Sequence, residues 1–493
     1  MLLKPLIFTI LSPSVAVEPT PLNKPELRET IERAMRRCGV LGMAIAVLHK
    51  NELVYAEEFG KCNKDDPHTV NTVQPISLVT KSLTATVVGE LVAEGKVDWD
   101  TTPVTKYLPE FKFKDPTLIS RLTFHDMLSH RTGIPNVMIN WHNSKGPRRE
   151  LIRRLRFMDG VPRKLGFTAQ YNNIMYAVVG EAVANVAGTS YEDLVLNKVI
   201  RPLGLKNTGF SQPTMRKLHP NNYAMPYEAV SYEAAENGEF RTIPLNEIYM
   251  SYVPAGDAYS NVLDMVRWRK TVMVLGKVDG KQVLNDGATI GYASDLIVYP
   301  NHDPVITSTT NILSGAQIAD SLSPLIAETL LDLLKSNINI DWIEEIAVPI
   351  VKGNHKNVAL LAPGAFTPRI PNKPPTFPNN LRAYVGVYSD PQFGTFVIGL
   401  EATNTTTSRK DDLLTYKYTE FTSTPKHYHY NSFVATLDDP MLRIKALITF
   451  SADPVFGADG KDDMKNRPIT RMQIQELPAG LDISKKLFKK REV

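Results

Sequence analysis

The stretch PISLVTKSLTA, Pro75 to Ala85, carries a lysine, Lys81, one turn into what its spacing predicts to be a helix. A lysine so placed can take the proton of a hydroxyl one helical turn earlier. That hydroxyl then attacks a carbonyl and forms an acyl-enzyme. Serine acyl-enzymes with an S-x-x-K spacing put the serine three residues before the lysine. In this chain that position is Leu78, which has no oxygen, and a serine stands one place earlier, at Ser77. Four residues still bring Ser77 within reach of Lys81 on a helix. It is rotated by about 100° from position 78, however, and should face a different wall. Sliding the helix by one residue would displace its whole apolar face, at the cost of several buried side chains.

The elements that must hold these residues can be read from periodicity. TKSLTATVVGELVAEG repeats apolar residues at Leu83, Val87, Val88 and Leu91 and ends at Gly95, which predicts an amphipathic helix. RRELIRRLRFM puts Leu151, Ile152, Leu155 and Met158 on one face and arginines on the other, an ordinary solvated helix. IMYAVVGEAVANVAG reads as another helix with Gly188 as its stop. Residues 25 to 350 alternate strand-like and helix-like runs, which predicts an α/β domain with a mixed sheet and a helical subdomain near Lys81. Six prolines between Pro363 and Pro378 read as a stiff linker, assigned to 351–380. Short strand-like runs follow, among them YVGVYSDPQFGTFVIGLE and LRIKALITF, and predict a small all-β barrel or sandwich over 381–482. Residues 1–24 are assigned to a leader and 483–493 to a basic tail.

The chain has 493 residues, 43% hydrophobic and 22% charged, enough for two or three domains with large cores. A net charge of +4 is too small at this length to point to nucleic acid or a membrane surface. No apolar run reaches the roughly 18 residues needed to span a bilayer. The N-terminus, Lys4 before PLIFTIL and SVAV, matches a signal peptide poorly because Pro13 breaks a short apolar run. This favours an intracellular protein and leaves secretion open. The two cysteines, Cys38 and Cys62, flank a hairpin formed by GMAIAVLH and ELVYAEEF. They read as free thiols, with a disulfide open if the hairpin centres on Lys50. Asn404-Thr405-Thr406 is a lone glycosylation sequon. His427 and His429 share one side of a strand, but a zinc site needs three or four ligands. With no H-E-x-x-H, no P-loop and no G-x-G-x-x-G followed by an acidic residue, neither a metal nor a cofactor is expected.

Five segments in order resemble the serine β-lactamase and penicillin-binding-protein family, nearest its class C-like branch of esterases, D-aminopeptidases and fungal transesterases. PISLVTKSLTATVVGELVAEGKVDWDTTPVTKYLPEF resembles the nucleophile helix and the loop after it, and LTFHDMLSHRTGIP the next signature. QYNNIMYAVVGEAV resembles the segment of the catalytic tyrosine. VPAGDAYSNVLDMVRW resembles a glycine-rich turn and helix, and GATIGYASDLIVYP the last strand pair beside the site. The tail from Leu381 resembles the lipocalin-like barrel of some relatives. The resemblance implies that Lys81 is the base, that Tyr171 is the partner acid–base group, and that Asn173 bonds the lysine or a substrate carbonyl.

The chain departs from that pattern in three places. Relatives read P-I-A-S-V-T-K where this chain reads P-I-S-L-V-T-K, so Leu78 holds the nucleophile position. The third motif, His-Gly-Gly or Lys-Thr-Gly in relatives, corresponds to Asn285-Asp286-Gly287. Asn285 can donate a hydrogen bond but carries no charge, and Asp286 adds a negative one. Several dozen residues that relatives carry before NDGATIGY, including a Tyr-Gly-x-Gly-Trp strand, are missing. Three functions stay open: a hydrolase or acyl transferase using Ser77, a Lys–Tyr acid–base site without covalent chemistry, and a non-catalytic binding protein. In each the partner is a small molecule, contacted at Leu78, Asn173, Asn285 and Gly287. Oligomeric state is not readable.

Overall fold

A computed structural model describes residues 25–353 and 381–491, apart from 51, 135–145, 159–169, 230, 244–251, 276–282, 290–291, 299–304, 312–321, 324–325, 327–340, 392, 402–412, 419–420, 430, 437–444, 453–468 and 478–486. The leader, most of the proline-rich linker and the Asn404 sequon therefore lie outside the described residues. By compactness, Met1–Pro109, Arg121–Ser129 and Met175–Lys356 form one unit, and Glu110–Ser120, His130–Ile174 and Asn357–Val493 form another. Residues 130–174 thus group with the C-terminal strands, whereas the sequence division places them with 25–350.

Among the described residues the first unit is built on a five-stranded sheet. Its strands are β1 (Gly42–His49), β2 (Glu52–Gly60), β6 (Val283–Thr289), β7 (Tyr292–Val298) and β8 (Val305–Thr310), in the order β2-β1-β8-β7-β6. Every pairing is antiparallel, not mixed as the sequence suggests: three join strands consecutive in sequence, and the fourth sets β8 against the distant β1. Seven of the eight residues of β1 are buried, so both sheet faces are covered. Helix α1 (Pro25–Cys38) lays Leu27, Ile31 and Met35 on Ile45, Val47 and Ile306. Arg33 reaches both carboxylate oxygens of Asp341, and Arg37 both of Glu344, which fastens α1 to the helical segment beginning at Trp342.

Cys38 and Cys62 are free and buried in separate apolar clusters. A bulge at Val47–Leu48 shifts the hairpin register, and Cys38 ends a helix rather than extending β1. Burial pushes the Cys38 thiol up to about 12.

A small sheet orders the chain before the site. Gln74–Pro75 (β3) and Gly209–Phe210 (β4) flank Ala258–Ser260 (β5). Helix α2 (Thr80–Ala93) follows β3 and buries Leu83, Val87, Val88 and Leu91, the residues its period picks out. It stops at Gly95, whose φ of +70° most side chains avoid.

Among its described residues the second unit contains nine antiparallel strands: β9 (Gly386–Asp390), β10 (Gly394–Glu401), β11 (Leu413–Tyr418), β12 (Phe421–Ser423), β13 (Lys426–His429), β14 (Ser432–Thr436), β15 (Lys445–Ser451), β16 (Arg471–Leu477) and β17 (Leu487–Lys490). The order is β12-β11-β10-β9-β17-β16-β15-β14-β13, so strands adjacent in sequence, β12 and β13, sit on opposite edges. Only Thr424 and Pro425 join them. Three Cα steps span at most about 11 Å, whereas nine flat strands would part the edges by about 38 Å. The sheet is therefore rolled. Aromatic rings meet within it: Phe396 stacks on Tyr418 at 4.0 Å between ring centroids and meets Phe488 at 4.5 Å. Strand β17 lies within the segment read as a basic tail. Its Phe488 is buried while Lys489 faces out. In the same unit, Arg154 of helix α3 (Arg148–Arg154) approaches Gly394 at the β9–β10 turn. No helix among the described residues is long and apolar enough to cross a membrane.

Candidate active site

Before α2 the chain makes one 3-10 turn, Ser77–Val79, and Ser77 enters it with φ +53°. That conformation costs a non-glycine residue about 1–3 kcal/mol and persists only where its surroundings impose it. Here the surroundings are explicit. The Ile76 N–H donates to the Ala258 carbonyl at 2.8 Å. The Thr80 hydroxyl donates to the Ser77 carbonyl at 2.5 Å and accepts from the Ala258 N–H at 3.1 Å. One turn on, the Thr84 hydroxyl donates to the Pro254 carbonyl at 2.6 Å. The head of α2 is thus pinned to β5 and to helix α4 (Val253–Gly256), which belong to the VPAGDAYSN segment.

The turn decides which side chain is presented. Ser77 is fully buried, and its Oγ has no hydrogen-bond partner among the described residues, so it makes no bond to Lys81. Ser77 precedes α2 instead of sharing its face with Lys81, so the i, i+4 relation expected on one helix does not hold. Between Thr72 and Lys81, Leu78 is the one residue that is not buried. A Cβ on Gly256 would lie 3.4 Å from Leu78 Cδ2, so Leu78 leans over the α4 turn.

Lys81 is 8% exposed. Its Nζ donates to the Ala255 carbonyl at 3.0 Å and stands 5.4 Å from the centroid of the Tyr176 ring. A carbonyl and a π face both suit an ammonium in a desolvated place. The Tyr176 hydroxyl donates to the Leu128 carbonyl at 2.7 Å, and burial holds its phenol above the usual tyrosine range. The close approach behind Ala255 depends on Gly180, where a Cβ would come within 2.3 Å of Pro254 Cγ.

Asn285, Asp286 and Gly287 lie on β6, in register with Leu296, Asp295 and Ser294 of β7, and β6 runs beside the Ser77–Val79 turn. Strand β6, which carries the third motif, therefore borders the turn of Ser77 and Leu78 within the first unit.

Tyr171 belongs to the second unit and Asn173 begins helix α5 (Asn173–Ala187). Asn172 sets that start. Its Oδ1 accepts from the Ile174 N–H at 2.8 Å, as a helix cap does, and its Nδ2 donates to the Ile134 carbonyl at 2.8 Å. Asn173 is buried, and Tyr171 is 45% exposed with its ring centroid 4.7 Å from that of His130. Sequence reasoning missed three participants. Tyr176 looked like one more apolar residue of a core helix, Thr80 like a neutral helix residue, and His130 lay unassigned inside LTFHDMLSHRTGIP. Only the spacing of Tyr176 from Tyr171 could have drawn attention to a second phenol.

A family model described as β-lactamase matches residues 27–329, and this chain belongs to the β-lactamase family. It is 26% identical over 255 residues to β-lactamase-like protein 2 of Dictyostelium discoideum, covering 49% of this chain and 44% of that protein. It is 27% identical over 307 residues to an unguisins hydrolase of Aspergillus campestris, covering 60% and 54%. The chain spans about half the length of these curated relatives. Among solved structures, the octameric penicillin-binding protein homologue from Pyrococcus abyssi aligns with a TM-score of 0.54 at 18% identity, over 87% of this chain and 96% of that one. A class C β-lactamase from Rhodobacter sphaeroides aligns at 0.51 and 17%, over 62% and 100%. These likenesses establish the β-lactamase/transpeptidase fold.

Proposed function

We propose that this protein takes a small-molecule ester, amide or natural-product-like ligand at the family's site without forming an acyl-enzyme. Its chemistry is then redirected to acid–base transfer by Lys81 and Tyr171, with Asn173, Asn285 and Gly287 as binding groups. One observation carries this reading: the turn before α2 presents Leu78 and turns the Ser77 hydroxyl inward. The ligand class is supported by relatives named a hydrolase of unguisins and a penicillin-binding protein. A second reading, a binding protein without turnover, is favoured by the Lys81 ammonium being held on the Ala255 carbonyl.

The experiment is covalent labelling with a fluorophosphonate and a β-lactam. Wild type should form no adduct. Leu78→Ser should be labelled at position 78, and adding Lys81→Ala should remove most of that label, since general-base assistance is worth roughly 10²–10⁴-fold. Labelling of wild type that Ser77→Ala abolishes would make Ser77 the nucleophile and sink the proposal. A ligand that raises the melting temperature and is recovered unchanged would favour the second reading.

A further inference from the structure

The residue that follows the short helix Phe124–Leu128 and its cap Ser129 is His130, with φ +59°. Glycine usually fills this place, because a left-handed residue there closes the helix without a Cβ penalty. A histidine tolerates the conformation better than a β-branched residue, yet still at a cost. What the conformation achieves is visible in the partners. The His130 carbonyl accepts from the Gln170 N–H at 2.7 Å. The His130 Nδ1 accepts from the Asn172 N–H at 3.1 Å. The imidazole lies against the Tyr171 ring, 4.7 Å between centroids at a 43° tilt. One strained residue thus grips three consecutive residues, 170, 171 and 172, from a point some forty positions earlier.

We infer that His130 is a positioning residue for the Tyr171–Asn173 segment, acting as a neutral imidazole with a bare Nδ1 and its proton on Nε2. Accepting from a backbone N–H requires a lone pair on Nδ1 and so fixes the tautomer. The carbonyl and the ring nitrogen bracket Tyr171 between two backbone hydrogen bonds, and the ring contact limits where its side chain can turn. The inference rests on the reading above only in taking Tyr171 to be a working group; the bracing itself does not.

The test uses the full chain. Long-range ¹H–¹⁵N correlation of the histidine rings should give His130 an unprotonated Nδ1 and a protonated Nε2. The opposite tautomer overturns the inference. Amide exchange at Asn172 is then compared in His130→Gly and His130→Asn. Both residues accept a left-handed backbone, but only asparagine keeps an acceptor near the place of Nδ1. Exchange should quicken about tenfold in the glycine variant, the change one lost hydrogen bond allows, and by no more than about twofold in the asparagine variant. Equal behaviour of the two variants overturns the inference. In a Leu78→Ser background, His130→Gly should slow fluorophosphonate labelling about tenfold, with His130→Asn restoring it. If Leu78→Ser alone takes no label, the reading of the site fails, and the exchange comparison still decides the role of His130.

Discussion

At the residue scale, Ser77 and His130 hold left-handed backbones for different ends. Ser77 withdraws a hydroxyl from the head of α2, and His130 grips a segment distant in sequence. Thr80 enforces the first of these. Thr80→Val keeps the shape of the side chain but strands the buried Ala258 N–H. It should cost about 1–3 kcal/mol in a urea titration. An unchanged midpoint would show that the turn does not depend on this bond. His68 makes a second prediction. It is fully buried, and burial lowers its imidazole from 6.5 to about 4. The folded state therefore holds it neutral, and below pH 6.5 the unfolded chain binds the proton more readily. The stability it allows is intact above pH 6.5 and is lost as the pH falls towards 4, by about 2–3 kcal/mol in all. His68→Leu should flatten this part of the acid limb of a stability–pH curve; an equally steep limb would place the loss elsewhere. Neither backbone was legible in the sequence. The left-handed turn at Ser77 is imposed by Thr80 bonding to a strand 178 positions away, and no local signal encodes that contact.

At the element scale, α1 shows which of its contacts matters. Ile31 is fully buried on the sheet, whereas Arg33 and Arg37 make ion pairs at the rim. Ile31→Ala should cost about 2–5 kcal/mol, and Arg33→Ala no more than about 1 kcal/mol because its carboxylate partner remains solvated. Comparable losses for the two would mean that the paired charges, not the apolar face, hold α1 down. The faces of α2 and of the helix Arg148–Arg154 were legible because a 3.6-residue period and a stop residue are local facts. The antiparallel order of the five-stranded sheet was not, since β1 near the N-terminus pairs with β8, which arrives more than 200 residues later. Lys81 was legible from the motif around it, whereas its partners, Ala255 and the Tyr176 ring, depend on α4 and α5 reaching it.

At the scale of the whole molecule, the described C-terminal strands bury a group of aromatic rings. Tyr384, Phe396, Tyr418, Phe433, Phe450 and Phe488 are buried and in ring-to-ring contact within the rolled sheet. A lipocalin-like barrel that carries a ligand needs an open interior, whereas side chains can also fill one of this size completely. Phe396→Ala should destabilise this unit by about 3–5 kcal/mol. The wild type should give no fluorescence rise with an environment-sensitive lipophilic dye, and a saturable rise that competes with fatty acid would contradict an interior filled by these rings. Sequence analysis reached the barrel through its alternating short strands. It ended the barrel one strand early, because in LFKK only Phe488 carries an apolar signal between basic neighbours.

The two-residue connection from β12 to β13 has a consequence for colloidal behaviour. A nine-stranded sheet laid open would offer two rows of unpaired amides, each a template for a strand from another chain. Thr424 and Pro425 hold the joined ends of those two rows within about 11 Å of each other, which crowds the approach of a foreign strand there. A proteolytic nick between Ser423 and Lys426, or a long flexible insertion there, would release both rows while leaving the hydrogen-bonded ladder intact. Such a molecule should self-associate into strand-paired oligomers at concentrations where the uncut chain does not, and light scattering before and after the nick would measure the difference.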